Sequence, residues 1–201
     1  QVAAVAQVRS LRQVRAFSPT AERRQAFARR VTEELGIECR PVASAGEAVA
    51  GADVLTLVTR ATEPVLTEPM VEPGVHVNAV GAIDLARREF EPGILRRCAT
   101  VATDSLAQVR NLSSEFRRFF GDDVRAWARV RELGELVVQG DGRRDPSSIT
   151  MFKGMGSGVE DLALGVAVLE RLGSSPPAIE RGGRAKLRLR PSTTKSARAG
   201  S

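Results

Sequence analysis

The 201-residue sequence has no tyrosine, one tryptophan and one histidine, and its two cysteines, Cys39 and Cys98, form no Cys-x-x-Cys pair. Catalytic triads and metal sites that depend on histidine or paired cysteines have almost no residues to draw on, so we expect no metal. The single histidine, His76, lies in an alternating apolar run typical of a strand. Two isolated cysteines fit a reducing, cytoplasmic setting.

Long apolar runs are also lacking. No segment approaches the roughly 18–20 apolar residues that a membrane-spanning helix requires, so we expect no membrane partner. The first residues lack the basic leader of a signal peptide. They also lack an initiator methionine, and we expect that Gln1 is not the natural start of the protein.

The formal net charge of +6 comes from the end of the chain. Residues 180–201 carry seven basic side chains and one acid, so residues 1–179 are neutral. A folded part without net charge does not favour nucleic acid as a partner. We interpret residues 173–201 as a basic, disordered tail, although such a tail can also touch polyanions.

Strands and helices alternate along the first 112 residues. Strands are predicted near residues 13–17, 37–42, 53–59, 75–80 and 100–103, and helices at 1–11, 21–35, 44–50, 91–97 and 105–112. This alternation predicts an α/β fold with a Rossmann-like, doubly wound parallel sheet.

The pattern changes beyond residue 112. A helix is predicted over residues 122–139, followed by a loop, a strand at 149–153, a glycine-rich turn and a C-terminal helix over 159–172. Phe27, Val31 and Leu35 define the apolar face of the earlier helix at 21–35.

Ser18-Pro19-Thr20, followed by Arg23, ends the first predicted strand. In dinucleotide-binding folds an acid at such a position binds the ribose 2′-hydroxyl of NAD, whereas small hydroxyl residues with an arginine suit the 2′-phosphate of NADP. No acid is adjacent here, which favours NADP. The alternative is an ordinary helix cap followed by exposed arginines.

The glycine segment 154–158 imitates the dinucleotide fingerprint Gly-x-Gly-x-x-Gly, but Val159 stands where the third glycine belongs. A single helix follows, so no βαβ unit can form, and we reject the segment as that fingerprint. Its amides can still face a cofactor or an anion. Glu160 and Asp161 then fit a helix dipole.

Two further pairs, Val58-Thr59 and Val80-Gly81, end central strands. Open α/β sheets bind ligands along that edge, and plain strand termination is the alternative.

Several segments together resemble the ornithine cyclodeaminase/mu-crystallin family, and the similarity extends from residue 1 to about residue 172. They are residues 54–66 (VLTLVTRATEPVL), 73–82 (PGVHVNAVGA), 88–90 (REF), 132–137 (ELGELV), 149–156 (ITMFKGMG) and 159–163 (VEDLA).

The resemblance implies hydride transfer at the α-carbon of an amino acid or cyclic imine, with a nicotinamide cofactor and a homodimer. It assigns the cofactor contacts to residues at three places along the chain, with no catalytic residue identified. They are Ser18, Thr20 and Arg23 at the adenosine 2′ position, Val58, Thr59, Val80 and Gly81 beside the dinucleotide, and Lys153 and Gly154 near the nicotinamide.

Cyclodeaminases of this family carry an aspartate shortly after the Asn-Ala-Val-Gly run. That position is Ile83 here, and Asp84 is one residue along. A carboxylate displaced by one residue is no substitute, because catalytic groups need placement within about 1 Å. The resemblance therefore favours a ketimine reductase over a cyclodeaminase.

The resemblance also implies that Gln1 falls just after the family's glycine-rich phosphate turn. We expect the first strand, that turn, the N-terminal substrate domain and most of the dimer surface to be missing. Residues 1–172 are then an incomplete NAD(P)-binding domain, and we expect weak NADP(H) binding and no turnover by this chain alone.

Three hypotheses remain open. The chain is part of an NADP-linked oxidoreductase, a non-catalytic protein that binds NADP(H) or a small ligand, or the inactive product of a broken gene. An in-frame Gly-x-Gly-x-x-(Ala/Ser) encoded upstream of Gln1 supports the first two, and a stop codon supports the third.

Overall fold

The computed structural model describes residues 1–173, so the predicted basic tail lies outside the described part of the chain. Two compact units are present, Gln1–Gly158 and a second that begins at Val159. No helix within residues 1–173 is long and apolar enough to span a membrane.

The first elements are short and alternate as predicted. They are α1 (Val2–Ala6), β1 (Val14–Ala16), α2 (Ala21–Leu35), β2 (Cys39–Pro41) and α3 (Ala45–Val49). Helix α2 has the predicted bounds because Thr20 occupies the N-cap and Gly36 ends the helix in the left-handed region, at φ 67°. Ser44 caps α3 by accepting from the Glu47 amide.

A five-stranded, wholly parallel sheet forms the centre of the first unit, in the order β3-β4-β7-β5-β6. Its strands are β3 (Val54–Leu57), β4 (His76–Ala79), β5 (Cys98–Thr103), β6 (Val130–Glu132) and β7 (Ile149–Lys153). Because all five run the same way, their carboxyl ends lie along one edge. The predicted α/β fold with a parallel sheet is confirmed.

Short helices connect these strands. They are a 3-10 turn (Glu68–Met70), α4 (Ile94–Arg97), α5 (Leu106–Leu112), α6 (Ser114–Phe120), α7 (Val124–Trp127) and α8 (Leu133–Gln139). Sequence periodicity did not predict α6, which begins directly after α5 with Ser113 as its cap.

Strands β1 and β2 pair only with each other in the described residues. The sheet expected to be continuous is thus divided into parallel pieces of two and five strands. In the described residues no ladder joins β1 to β3. The sequence pattern predicts each strand but carries no information on which strand is its neighbour.

The helix predicted over residues 122–139 is wrong. The structure divides this stretch into α7, β6 and α8. Val130, which lies inside the predicted helix, instead pairs with Val101 of β5 and is buried. The edge of β5 supplies backbone partners that the local sequence cannot reveal, and tertiary pairing overrides the helical pattern.

The core of the first unit lies mainly against one face of the five-stranded sheet. Val77 and Ala79 of β4 point to that face and are fully buried, whereas His76 and Asn78 point to the other face and are only partly buried. Phe116, Phe120 and Trp127 pack their rings together, with Phe120 and Trp127 centroids 4.9 Å apart. A smaller cluster under α2 contains Val31, whereas Phe27 and Leu35 are exposed.

The second unit contains the helix α9 (Gly158–Arg171), which matches the predicted C-terminal helix. Glu160 and Asp161 lie in its first turn, where acids are favoured by the helix dipole.

Both cysteines are free and buried. Burial raises the pKa of the Cys98 thiol to about 12, and burial also raises the pKa of the Cys39 thiol.

Because only the thiolate is a good nucleophile, we expect neither thiol to react with Ellman's reagent in the native protein at about pH 8. Addition of denaturant should then release two reactive thiols per chain. Rapid labelling of the native protein would contradict this expectation.

Candidate functional site

The carboxyl ends of three neighbouring strands bring together six residues predicted from the sequence. Leu57 is followed by Val58 and Thr59, Ala79 by Val80 and Gly81, and Lys153 itself by Gly154. The main chain keeps these ends in register beyond the ladders, since the Gly154 amide donates to the Ala79 carbonyl at 3.1 Å. Adjacent strand ends of this kind form the ligand crevice of open α/β sheets.

Close packing at this edge requires glycine at residue 81. A Cβ at that position would lie 2.5 Å from the Thr59 carbonyl oxygen and would also overlap the Thr59 nitrogen and the Glu89 carboxylate. At Gly154 a Cβ would lie 3.1 Å from Cγ1 of Val80. The strand ends therefore approach each other more closely than side chains would allow.

Beneath the edge lies a fully buried carboxylate, that of Glu89. Its Oε1 accepts from the Thr59 amide at 2.6 Å, and its Oε2 accepts from the amides of Gly81 at 2.7 Å and Ala82 at 3.0 Å. One side chain thereby binds the loops that follow both β3 and β4. A carboxylate with three amide donors is satisfied despite its burial.

Two further charged side chains are fully buried beside it, Lys153 and Glu115. Lys153 Nζ donates to the Ala82 carbonyl, and Glu115 accepts from the Glu89 amide at 3.0 Å and from the Ser113 hydroxyl at 2.9 Å. Burial lowers the pKa of Lys153, while the charges of Glu115, Glu89 and Asp104 oppose that shift. The ammonium thus has a main-chain acceptor, and the three carboxylates favour its charge without offsetting the whole cost of its burial.

Asp104, which follows β5, binds the start of the glycine segment. Its carboxylate accepts from the Met155 amide at 2.8 Å and from the Gly156 amide at 2.7 Å. The sequence left open whether the amides of residues 154–158 face an anion. At Met155 and Gly156 the protein's own aspartate occupies that role.

Ser18 and Thr20 follow the carboxyl end of β1, a strand of the two-stranded sheet, and Arg23 lies in the first turn of α2. Thr20 holds the N-cap position of α2, but its side chain makes no capping hydrogen bond. The Ser18 carbonyl accepts from Arg24 Nη1 at 3.0 Å, whereas Arg23 is exposed. This turn therefore presents a hydroxyl and a guanidinium at a strand end.

Ile83 is 47% exposed, so no carboxylate occupies that position above the edge. The neighbouring Asp84 makes local contacts, because it accepts from the Ala86 amide at 2.9 Å and pairs with Arg87 at 3.3 Å. Val58 and Leu85 are also exposed apolar side chains near the strand ends. The edge is apolar on its surface and charged beneath it.

The residues that sequence reasoning missed are Glu89, Glu115 and Asp104. Glu89 stands in the charged run Arg87-Arg88-Glu89, which is typical of a solvated surface. The signal that could have revealed it is Phe90, a bulky apolar neighbour that is fully buried. Nothing local distinguishes Glu115 or Asp104 from surface acids.

Two other features lie toward the amino ends of the strands. His76 contacts Thr150 Oγ1 at 2.8 Å and Asn78 Oδ1 at 3.2 Å, and burial lowers the pKa of its ring. A cavity of about 300 Å³ is lined by several arginines, including Arg131 and Arg144, which both pair with Asp141. The His76 contacts join strand residues, and the arginine–aspartate contacts hold a loop. We therefore assign the candidate site to the carboxyl edge of the sheet.

Comparison with known proteins relates this geometry to a family. The family model "Ornithine cyclodeaminase/mu-crystallin family" matches residues 1–175. The chain belongs to this family. The match covers all the described residues, and the resemblance noted from the sequence is confirmed.

Individual relatives of the cyclodeaminase/mu-crystallin family include reductases. The chain is 37% identical over 153 residues to ketimine reductase mu-crystallin of Mus musculus, covering 76% of this chain and 45% of the relative. A structure of Thermococcus litoralis Delta(1)-pyrroline-2-carboxylate reductase with NADH and L-proline matches with a TM-score of 0.77 and 28% identity, over 88% of this chain and 56% of that one. An archaeal alanine dehydrogenase dimer with bound NAD matches with a TM-score of 0.75 and 27% identity, over 84% and 52% of the two chains.

The chain spans about half the length of the curated relatives that it matches. The activity, substrate and partners of a whole family member therefore enter only as proposals.

Proposed function

We propose that this chain is the cofactor-binding part of an NAD(P)-dependent oxidoreductase that reduces a cyclic imine or a related imino acid. The observation that carries the proposal is the carboxyl edge of β3, β4 and β7, where close-packed strand ends are fixed from below by Glu89. A bound nicotinamide cofactor supplies the hydride, and the protein's own residues bind and orient it.

The edge fits a flat, largely apolar group. Val58 is exposed, and Gly81 and Gly154 allow the main chain to approach a ring closely. We assign Val58, Thr59, Val80 and Gly81 to the dinucleotide and the turn at Gly154 to the nicotinamide end. Lys153 acts there through its buried contact with Ala82, since its side chain is not exposed.

We propose NADP(H) as the preferred cofactor. The Thr20 hydroxyl is not used in capping, and Arg23 is exposed on the first turn of α2. A guanidinium and a hydroxyl suit a phosphate monoester, and the strand end itself carries no carboxylate, since the nearest acid is Glu22 in the first turn of α2. The relatives' NAD-bound structures support a nicotinamide cofactor in general.

A reductase is favoured over a cyclodeaminase by Ile83 and Asp84. Ile83 cannot activate water or an amine, and Asp84 is engaged by Ala86 and Arg87. A reductase needs only to orient an imine toward the cofactor, whereas a cyclodeaminase also requires a base for its amine. We propose that the substrate is a small imino acid and that the complete protein forms a homodimer, as the resemblance to the family implies.

We expect this chain alone to bind NADPH weakly, with a dissociation constant above about 100 μM, and to turn over no imine. The physical reason is that the described residues contain no Gly-x-Gly-x-x-Gly turn for the pyrophosphate. The glycine segment 154–158 cannot replace that turn, because Asp104 already occupies the amides of Met155 and Gly156. A titration followed by NADPH fluorescence measures the constant. A low-micromolar value would contradict this expectation, and the absence of binding by either dinucleotide at millimolar concentration would contradict the proposed function.

The Arg23→Glu variant tests the cofactor preference in the same titration. We expect the NADPH dissociation constant to rise about fivefold or more, and that of NADH to stay within about twofold. Arg29→Glu is the matched control because it makes the same charge change on an exposed position of α2. Equal effects of the two variants would mean that Arg23 acts only through overall charge.

A further inference from the structure

Glu89 is buried and forms hydrogen bonds through its carboxylate and through both of its main-chain polar groups. Its carboxylate accepts from three amides, its own amide donates to Glu115, and its carbonyl accepts from the amides of Val65 and Leu66. Resting on the proposed function, we infer that Glu89 is the positioning residue that sets the two strand-end loops of the dinucleotide crevice.

The position of the three amides supports this inference. The β3–β4 ladder ends at the pair Leu57↔Ala79, and Thr59, Gly81 and Ala82 lie beyond it. Past the last ladder pair, the two loops stay close together at Thr59 and Gly81, but the ladder no longer supplies acceptors for these amides. The Glu89 carboxylate supplies the acceptors instead, so the two loops share one side chain.

Lys153 completes the arrangement from the third strand. Its ammonium donates to the carbonyl of Ala82, the same residue whose amide donates to Glu89. Both backbone polar groups of Ala82 are therefore fixed by buried charges of opposite sign. This fixes the loop that carries Ile83, directly above the crevice.

A solely structural role is the competing explanation. Apolar side chains can fill a buried site without the desolvation penalty of a charge, so a carboxylate here is costly unless the amides need it. If Glu89 only contributes stability, a second substitution that removes the charge of Lys153 should recover both the stability and the cofactor binding lost in a Glu89 variant. If Glu89 positions the loops, the second substitution should recover the stability but not the cofactor binding.

Glu89→Gln is the first variant to compare, because it keeps the size of the side chain but replaces one acceptor by a donor. In ¹⁵N-labelled full chain we expect the amide signals of Thr59, Gly81 and Ala82 to move upfield and to exchange faster with solvent. The signals of Met155 and Gly156, which bind Asp104, should not move. The NADPH dissociation constant, measured by shift titration on the folded fraction, should rise at least about tenfold.

Glu91→Gln is the matched control. Glu91 also accepts from a backbone amide, that of Glu68 at 2.6 Å, but it lies outside the crevice. We expect its NADPH dissociation constant to stay within about twofold of that of the unmodified chain.

The double variant Glu89→Gln/Lys153→Met separates the two explanations and serves if the single variant does not fold. It removes the buried charges of Glu89 and Lys153 and leaves that of Glu115, so the net buried charge equals that of the unmodified chain. We expect higher stability than either single variant has, with NADPH binding still weakened at least about tenfold. Recovery of both properties, or unchanged NADPH binding by folded Glu89→Gln, would overturn the positioning role and leave the proposed function intact. Failure of the unmodified chain to bind NADPH or NADH at millimolar concentration would overturn both.

Discussion

Replacement of Lys153 by methionine is expected to lower the free energy of unfolding by about 1–3 kcal/mol, because it leaves a buried carbonyl without its donor. Lys153 is fully buried, and the negative charges of Glu89, Glu115 and Asp104 favour its charged form. Methionine fills a similar volume but leaves the carboxylates without a buried cation and the Ala82 carbonyl without its donor. Urea denaturation followed by far-ultraviolet circular dichroism measures the change.

The same variant has a pH signature. Burial lowers the pKa of Lys153 in the folded protein, whereas the unfolded chain keeps the ordinary value of about 10.4. The stability that this shift contributes is fully present above the unfolded pKa and is lost as pH falls through the folded pKa. The difference in unfolding free energy between unmodified chain and variant should therefore increase with pH below about 10.

Arg40→Met serves as the control for Lys153. Arg40 is an exposed strand residue whose ion pair with Glu38 is solvated, so we expect a change below about 0.5 kcal/mol at all pH values. A loss of less than about 1 kcal/mol in Lys153→Met would mean that the buried carboxylates find other partners, and a pH-independent difference would contradict the lowered pKa.

Gly81→Ala is expected to cost about 3 kcal/mol, the upper part of the range for overpacking. The added methyl would overlap the Thr59 backbone and the Glu89 carboxylate, none of which is the free end of a flexible exposed chain. The strand ends must separate to admit it, which also breaks the hydrogen bond from Gly81 to Glu89. We therefore expect NADPH binding to be lost along with stability.

Gly134→Ala provides the matched comparison. Nothing lies within 4 Å of a Cβ at that position, and the residue lies inside α8, where alanine is preferred to glycine by about 1 kcal/mol. The control should therefore raise the unfolding free energy slightly, while Gly81→Ala lowers it. Similar unfolding free energies for the two variants would show that the strand ends can shift apart without cost.

Local signals in the sequence were sufficient for the simplest elements. The turn at Ser18-Pro19-Thr20 and the glycine at residue 36 gave both ends of α2, since a cap and a left-handed residue act within one helical turn. Alternation of strands and helices predicted the parallel sheet, because a helix between two successive strands allows them to run in the same direction. Ile83 needed no structure either, because its place in the Asn-Ala-Val-Gly-Ala-Ile run is a property of the chain order.

The stretch 122–139 shows where local reasoning failed. Its apolar spacing suits a helix, but the edge of β5 offers Val130 and its neighbours a parallel partner. A strand that depends on a partner about thirty residues earlier has no local signature.

The sequence by itself determined the family, the order of strands and α-helices over residues 1–112, and the absence of a carboxylate at residue 83. Only the tertiary structure decided that Glu89, Glu115 and Lys153 are interior groups. The charges of Glu89 and Lys153 are tolerated because they form hydrogen bonds with main-chain groups of Thr59, Gly81 and Ala82. Those partners come from separate strand ends, and their meeting depends on the parallel register of the sheet.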